Sequence, residues 1–196
     1  VNVISRTSKI YSNFLNGLST QDSDLLKKSK KGVAKLGGEI EELRDNIFFL
    51  IKSLDETSVR GSNFYIIILA YLTDIAQSLD FISKKSYKHV NNQHKKLKFK
   101  QFKDLKVIDD RLNLLYKEII DIFNTRKFER VSLILAQKEE IIILLNEKIN
   151  TQIERTRLEE SSPKNTTLYF NILLETKDLV NSIMNLMDEY FRSYKK

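Results

Sequence analysis

One stretch of this chain occurs twice, and that repetition limits what the chain can fold into more than any other feature. Ser58 to Ile82, SVRGSNFYIIILAYLTDIAQSLDFI, lies over Ser162 to Leu186, SPKNTTLYFNILLETKDLVNSIMNL, when shifted by 104 positions without a gap. Ser58, Tyr65, Ile68, Leu69, Asp74 and Ser78 fall on identical residues at Ser162, Tyr169, Ile172, Leu173, Asp178 and Ser182. Arg60/Lys164, Ser62/Thr166, Ile75/Leu179 and Leu79/Ile183 keep their chemical character. The match includes the polar lead-in before each apolar run, so a tandem duplication of a whole structural unit is its simplest cause.

The rest of the chain fits two such units. Ile4, Thr7, Tyr11, Phe14 and Leu18 recur at intervals of three and four, which predicts a helix over about 3–18. After a turn at 19–23 the pattern resumes. Gly32, Gly37 and Gly38 each disfavour a helix by roughly 1 kcal/mol relative to Ala, so a kink or break is expected near Gly37, with Ile40, Leu43, Ile47, Leu50 and Leu54 as the inner face beyond it. Thr57 to Ser62 reads as a connector, Ser62 or Asn63 as the next N-cap, and Phe64, Ile68, Tyr71, Ile75, Leu79 and Ile82 as the inner face of a third helix. In the second half, Leu105 to Ile122 and Phe128 to Ile153 carry the same stripes. The lone proline, Pro163, lies in a connector at 161–167, because proline cannot sit inside a helix, and a last helix spans about 168–194. The expected fold is therefore all-α, with two tandem three-helix bundles at 1–95 and 101–196 joined by loops short enough to force antiparallel neighbours.

Composition excludes several classes. There is no cysteine among the 196 residues, hence no disulfide and no thiolate metal site. The longest apolar run, Phe64 to Leu72, is nine residues, against the roughly 20 that span a membrane, so no crossing is expected. The opening Val-Asn-Val-Ile-Ser does not read as a signal peptide, and the chain reads as a piece of something longer. No Gly-rich phosphate loop, HExxH or nucleophile constellation is present, which argues against an enzyme. The net charge of +7 is local: Lys84 to Lys106 holds nine lysines against Asp104 alone, a segment charge of +8.

Two runs resemble a known family. FYIIILAYLTDIAQSLDFISKKSYKHVNNQHKKLK and RTRLEESSPKNTTLYFNILLETKDLVNSIMNL are similar to PhoU-type phosphate-uptake regulators, and in particular to the PhoU-like domain that follows the membrane portion of bacterial sodium/phosphate cotransporters. The resemblance covers most of the chain from Leu25 onward, and its most specific words are Tyr87 to His94 and Ser162 to Tyr169. It implies a non-catalytic regulatory domain that couples phosphate status to phosphate uptake at the cytoplasmic side of the bacterial inner membrane. The alternatives are a free-standing PhoU-type regulator, or a basic helical module that binds anionic membrane or nucleic acid.

The family's site is a Glu-x-x-x-Asp motif whose carboxylates share a metal ion. Here the resemblance places the aspartates at Asp74 and Asp178, but Ala70 and Leu174 stand at the glutamate positions. Glu175, three residues before Asp178, is a geometric substitute, with Tyr71 in its place in the first unit. Asp74, Asp178 and Glu175 are thus weak candidates for a divalent or ferric metal, and no resident cofactor is expected. His89 and His94, five apart, make a poor metal pair, and Glu118 with Asp121 reads as an exposed acid pair. The stronger contact candidates are Lys84, Lys85, Lys88, His89, His94, Lys95, Lys96, Lys98, Lys100 and Lys103. Their partner would be the membrane portion of the transporter or an anionic membrane surface; a homodimer is compatible, and nucleic acid is not expected.

Overall fold

Tyr11 and Phe14, with Leu18 a turn later, recur with the helical period, and each is fully buried. They belong to α1 (Asn2–Thr20), which ends where Gln21 enters the left-handed region at φ 58° and returns its backbone N–H to the last turn. In this computed structural model, which describes residues 1–54 and 56–195 with the side chains of 56–60 excepted, six further α-helices follow. They are α2 (Ser23–Ile51), α3 (Glu56–Asn91), α4 (Phe99–Thr125), α5 (Val131–Ala136), α6 (Lys138–Arg157) and α7 (Pro163–Tyr194), with a 3₁₀ turn at Phe128–Arg130 ahead of α5. No strand occurs among the described residues.

The fold is all-helical, two three-helix units in tandem. In the first, α2 packs along α3 and α1 closes the side; in the second, α5 and α6 take the place of α2, against α7 and α4. The units join through two crossings, α1 on α4 and α3 on α7. Both crossings are antiparallel. Ser8 donates to Asn113 Oδ1 at 2.6 Å and Ser12 to Asp109 Oδ1 at 2.8 Å, while Phe64 meets Tyr190 ring to ring at 5.3 Å near one end of the other crossing. One apolar cluster runs through all of it, from Ile4 to Met187, and a hydrogen bond of 2.7 Å between the buried Tyr11 and Thr176 hydroxyls ties α1 to α7. At about 1.5–3 kcal/mol for each fully buried large side chain, this shared core is the main stabilising term.

Several local expectations change. Helix α2 runs unbroken through Gly37 and Gly38. Val33, Leu36 and Ile40 bury on either side of these glycines, and that burial outweighs the propensity cost of about 1 kcal/mol per glycine. The expected connector at 57–62 is the start of α3, so Ser62 and Asn63 are interior rather than capping; the side chains of Thr57, Ser58 and Arg60 lie outside the described residues. Pro163 is not in a loop either. It occupies the first turn of α7, where its missing N–H is no loss, and Ser162 caps the helix by accepting from the Asn165 N–H at 3.3 Å. The second unit's middle helix is interrupted at Gln137.

Between Gly61 and Asn91, α3 is long and apolar enough by length and composition to cross a membrane. Its apolar residues Ile68, Ile75, Leu79 and Ile82 are instead buried in the shared core.

Burial fixes the repeat's register more finely than sequence did. In α3 and α7 the shift of 104 holds, since Ile68/Ile172, Ile75/Leu179 and Leu79/Ile183 are buried in both. In the first two helices of each unit the buried positions correspond at a shift of 105: Tyr11/Tyr116, Phe14/Ile119, Leu26/Val131, Leu36/Ile141 and Ile40/Leu145.

Glycine provides a test of this packing. A Cβ on Gly17 would stand 2.7 Å from Leu26 Cγ, whereas one on Gly37 would meet nothing within 4 Å. Gly17→Ala is expected to destabilise by about 1–3 kcal/mol, because it forces the α1–α2 contact apart, and Gly37→Ala to stabilise by about 0.5–1 kcal/mol. Paired urea unfolding curves check both signs.

Candidate functional site

The antiparallel α3–α7 crossing brings repeat-related side chains face to face. Asp74, Gln77 and Ser78 from α3 and their counterparts Asp178, Asn181 and Ser182 from α7 line one cleft of about 330 Å³, with Glu175 as its seventh residue. The three carboxylates singled out in the sequence are therefore neighbours in space. Asp74 and Asp178 are exposed, and Glu175 is half-buried. Burial pushes the Glu175 carboxyl up, the Ser78 hydroxyl that donates to it acts in the opposite sense, and the charge of Asp178 adds to the rise. Ala70 is exposed and lines a separate hollow with Arg44 and Phe48, while Leu174 is half-exposed. Neither glutamate position contributes a ligand. Among the described residues no three His, Asp or Glu side chains stand close enough together to hold a metal ion.

The acid pair Glu118 and Asp121 is occupied otherwise. Gln137 donates to Glu118 at 2.7 Å, and Arg130 pairs with Asp121 at 2.6 Å.

Lysine density collects at one end of the same crossing. The segment is only partly a loop: Lys84, Lys85 and Lys88 ride the last turns of α3, residues 92–98 form the link, and Lys100, Lys103 and Lys106 lie on the first turns of α4. Every one of the nine lysine side chains is exposed. Two are spoken for, Lys84 by Asp80 at 2.6 Å and Lys106 by Asp110 at 2.8 Å. Among the described residues Lys88, Lys95, Lys98, Lys100 and Lys103 have no carboxylate within salt-bridge distance, so their charge faces solvent.

His89 departs from the expected contact surface. It is buried, and its Nε2 lies 2.9 Å from the Lys95 carbonyl, which pins the link. Burial lowers the His89 pKa, the bond to Lys95 opposes that, and His94, with its ring centroid 5.2 Å away, lowers it further.

Beside these rings a hollow of about 160 Å³ is lined by Lys85, Lys88, His89, His94, Lys164 and Thr167 among others. Lys164 was not foreseen as a member. It lies far in sequence from the lysines and histidines of the hollow, and only the antiparallel crossing delivers the α7 N-terminus to the α3 C-terminus. A groove of about 600 Å³ between α2 and α3, with Val33, Ile40, Ala76 and Phe81 on its walls, runs from Gln77 at the acidic cleft to Lys84, Lys85 and Lys88.

The other residue that sequence reading missed is Asp104, the single acid in the lysine run. Its carboxylate takes Arg155 at 2.8 Å, Lys148 at 3.3 Å and the Tyr169 hydroxyl at 3.2 Å. A lone acid inside a basic run was the available signal.

No family model and no curated protein sequence matches the chain. Among solved structures, the crystal structure of the phosphate transport system regulatory protein PhoU from Streptococcus pneumoniae is similar, with a TM-score of 0.73 and 13% identity over 96% of this chain and 88% of that one. At that identity the likeness establishes the fold, an all-helical PhoU-like bundle.

The Glu175 environment makes a pH prediction. A carboxyl whose folded pKa lies above its unfolded value of about 4.3 favours the folded state fully below that value, and the contribution is lost as pH rises through the folded pKa. Glu175→Gln should therefore raise the melting temperature at pH 7 and leave it nearly unchanged at pH 4. Solvent screens this partly exposed group, so a gain of about 1 °C is expected. Thermal melts of both proteins across pH 4–8 check it.

Proposed function

We propose that this chain is a non-catalytic regulatory domain that couples phosphate status to phosphate uptake. The observation that supports the reading is the likeness of fold, across 96% of the chain, to a phosphate transport system regulatory protein. The site chemistry agrees with it. The acidic cleft gathers carboxylates, amides and hydroxyls from both repeats, a set that suits recognition of a polar ligand. We take the cleft to hold no resident metal.

On the finer level we propose that the chain is the cytoplasmic domain of a sodium/phosphate cotransporter, set against the inner face of the bacterial membrane. The lysine end then faces lipid headgroups and the transporter body. The nine exposed lysines point away from the core, and the hollow lined by Lys85, Lys88, His94 and Lys164 is a small cationic recess of a size that admits one phosphate group. A free-standing regulator is the second reading, favoured by the coverage of 88% of the neighbour's length.

Near an anionic leaflet each lysine contributes at most about 1 kcal/mol, and the attraction fades within a Debye length of about 8 Å at physiological salt. The domain should sediment with vesicles of phosphatidylcholine and phosphatidylglycerol at low salt and release as salt rises. Changing Lys95, Lys96, Lys98 and Lys100 to Gln should weaken that binding at least tenfold without loss of helicity. The structural contacts of Lys96 and Lys98, to Asn165 and Gln101, use backbone atoms. Inorganic phosphate should release the domain more effectively than chloride at equal ionic strength if the recess takes a phosphate group. Equal sedimentation of parent and altered proteins would remove the membrane role, and a stronger preference for nucleic acid over vesicles would replace it.

A further inference from the structure

The groove between α2 and α3 stays open in the first unit, whereas larger apolar side chains take its place in the second. Its volume is about 600 Å³, inside the range of about 300–1,000 Å³ that small-molecule sites occupy. Val33, Ile40 and Ala76 form its floor, Phe81 stands on one wall, and Gly37 lies midway along it. At the shifts that relate the two units, Gly37, Ala76 and Asp80 correspond to Ile142, Val180 and Met184. Val180 and Met184 are fully buried, and Ile142 packs against the core. The second unit therefore occupies with its own side chains a space that the first unit leaves free.

Packing within the chain does not account for Gly37. A Cβ there would meet nothing within 4 Å, and glycine weakens a helix interior, so α2 gives up stability where no neighbour asks for it. Close approach of a ligand to the backbone is one of the uses that glycine serves. Charge then gives the groove a direction. Lys30 Nζ lies 4.3 Å from the Tyr87 ring centroid, which sets α2 antiparallel to α3 and puts Glu41, about three turns further along α2, at the end beside Thr73. Lys85 and Lys88 hold the opposite end, with the Lys85 ammonium 5.2 Å from the Phe81 ring and Lys84 paired to Asp80 at 2.6 Å. The second unit has Asp188 and Glu189 in place of Lys84 and Lys85, and an exposed Asn185 in place of Phe81. The cationic end and the aromatic wall belong to the first unit alone.

We propose that this groove binds a free long-chain fatty acid, with its carboxylate at Lys85 and Lys88 and its chain laid past Phe81 and Ala76, over Gly37, toward Ile40. From Thr73 to Lys88, α3 advances about 22 Å at 1.5 Å per residue, the reach of an extended long chain. The floor takes the chain by removing it from water, and the two ammonium groups take the head by charge-assisted hydrogen bonds. The reverse orientation would set the carboxylate against Glu41. Outside the apolar strip the rim is polar, with Glu41, Gln77 and Asp80, so one chain is accommodated and the second chain of a bilayer lipid is not. This site goes beyond the regulatory reading and does not depend on it.

The test uses the full chain and cis-parinaric acid, a fatty acid that fluoresces when its chain is shielded from water, below its micelle concentration. Binding should saturate, and myristic acid should displace the probe at least tenfold more effectively than its uncharged methyl ester. Gly37→Ile, which copies the second unit, should weaken binding at least tenfold while the melting temperature does not fall. Lys85→Gln with Lys88→Gln should weaken binding of the acid at least tenfold and remove its advantage over the ester. Leu50→Ser, at an exposed leucine outside the groove, should change neither. Absence of saturable binding, unchanged binding by Gly37→Ile, or equal displacement by acid and ester would overturn the proposal. Sedimentation with phosphatidylcholine vesicles that Gly37→Ile removes, without binding of the free acid, would overturn it in favour of a chain drawn from a bilayer, and dimerisation that Gly37→Ile removes would assign the groove to a second copy. The changes at Lys95, Lys96, Lys98 and Lys100 that test the proposed function lie outside the groove, so the two readings fail separately.

Discussion

The antiparallel contact between α3 and α7 is the constraint from which most of this structure follows. Each is the third helix of its unit, and each buries residues on the other unit as well as on its own, so neither unit has a complete core alone. Ile75 and Leu179 lie near the middle of the crossing and are both fully buried. Flanking them are the acidic residues of both repeats, and beyond these, at one end, the lysine-lined hollow. In an antiparallel crossing of two copies of one helix, the residues near the pseudo-twofold axis, here around Ile75 and Leu179, come to lie beside their own counterparts. That is why a duplicated aspartate becomes a pair of carboxylates in one cleft.

The second crossing, α1 on α4, is polar where the first is apolar. Asp109 is nearly buried and accepts from Ser12 at 2.8 Å and Asn113 at 3.1 Å, with Lys106 at 3.3 Å. A buried carboxylate left without such partners would cost several kcal/mol; with them it fixes how α1 sits on α4. Apolar packing on one side of the molecule supplies stability, and hydrogen bonds on the other side supply register.

Much of the fold was legible because burial follows periodicity. Helix α1 and the stripes of α3, α4 and α7 stand where the spacing of apolar residues puts them. Gly37 and Gly38 were misread because local propensities of about 1 kcal/mol were set against tertiary packing that the sequence does not display. Pro163 was misread because proline opposes the helix interior yet fits the first helical turn, and only the Ser162 cap reveals which position it holds. Of the candidate site, Asp74, Asp178 and Glu175 were legible as residues and their meeting was not, because the direction of the crossing is a tertiary fact. His89 was misplaced for a related reason. It lies one residue from Lys88 but about 100° further round the helix, which turns it toward the Lys95 carbonyl rather than solvent.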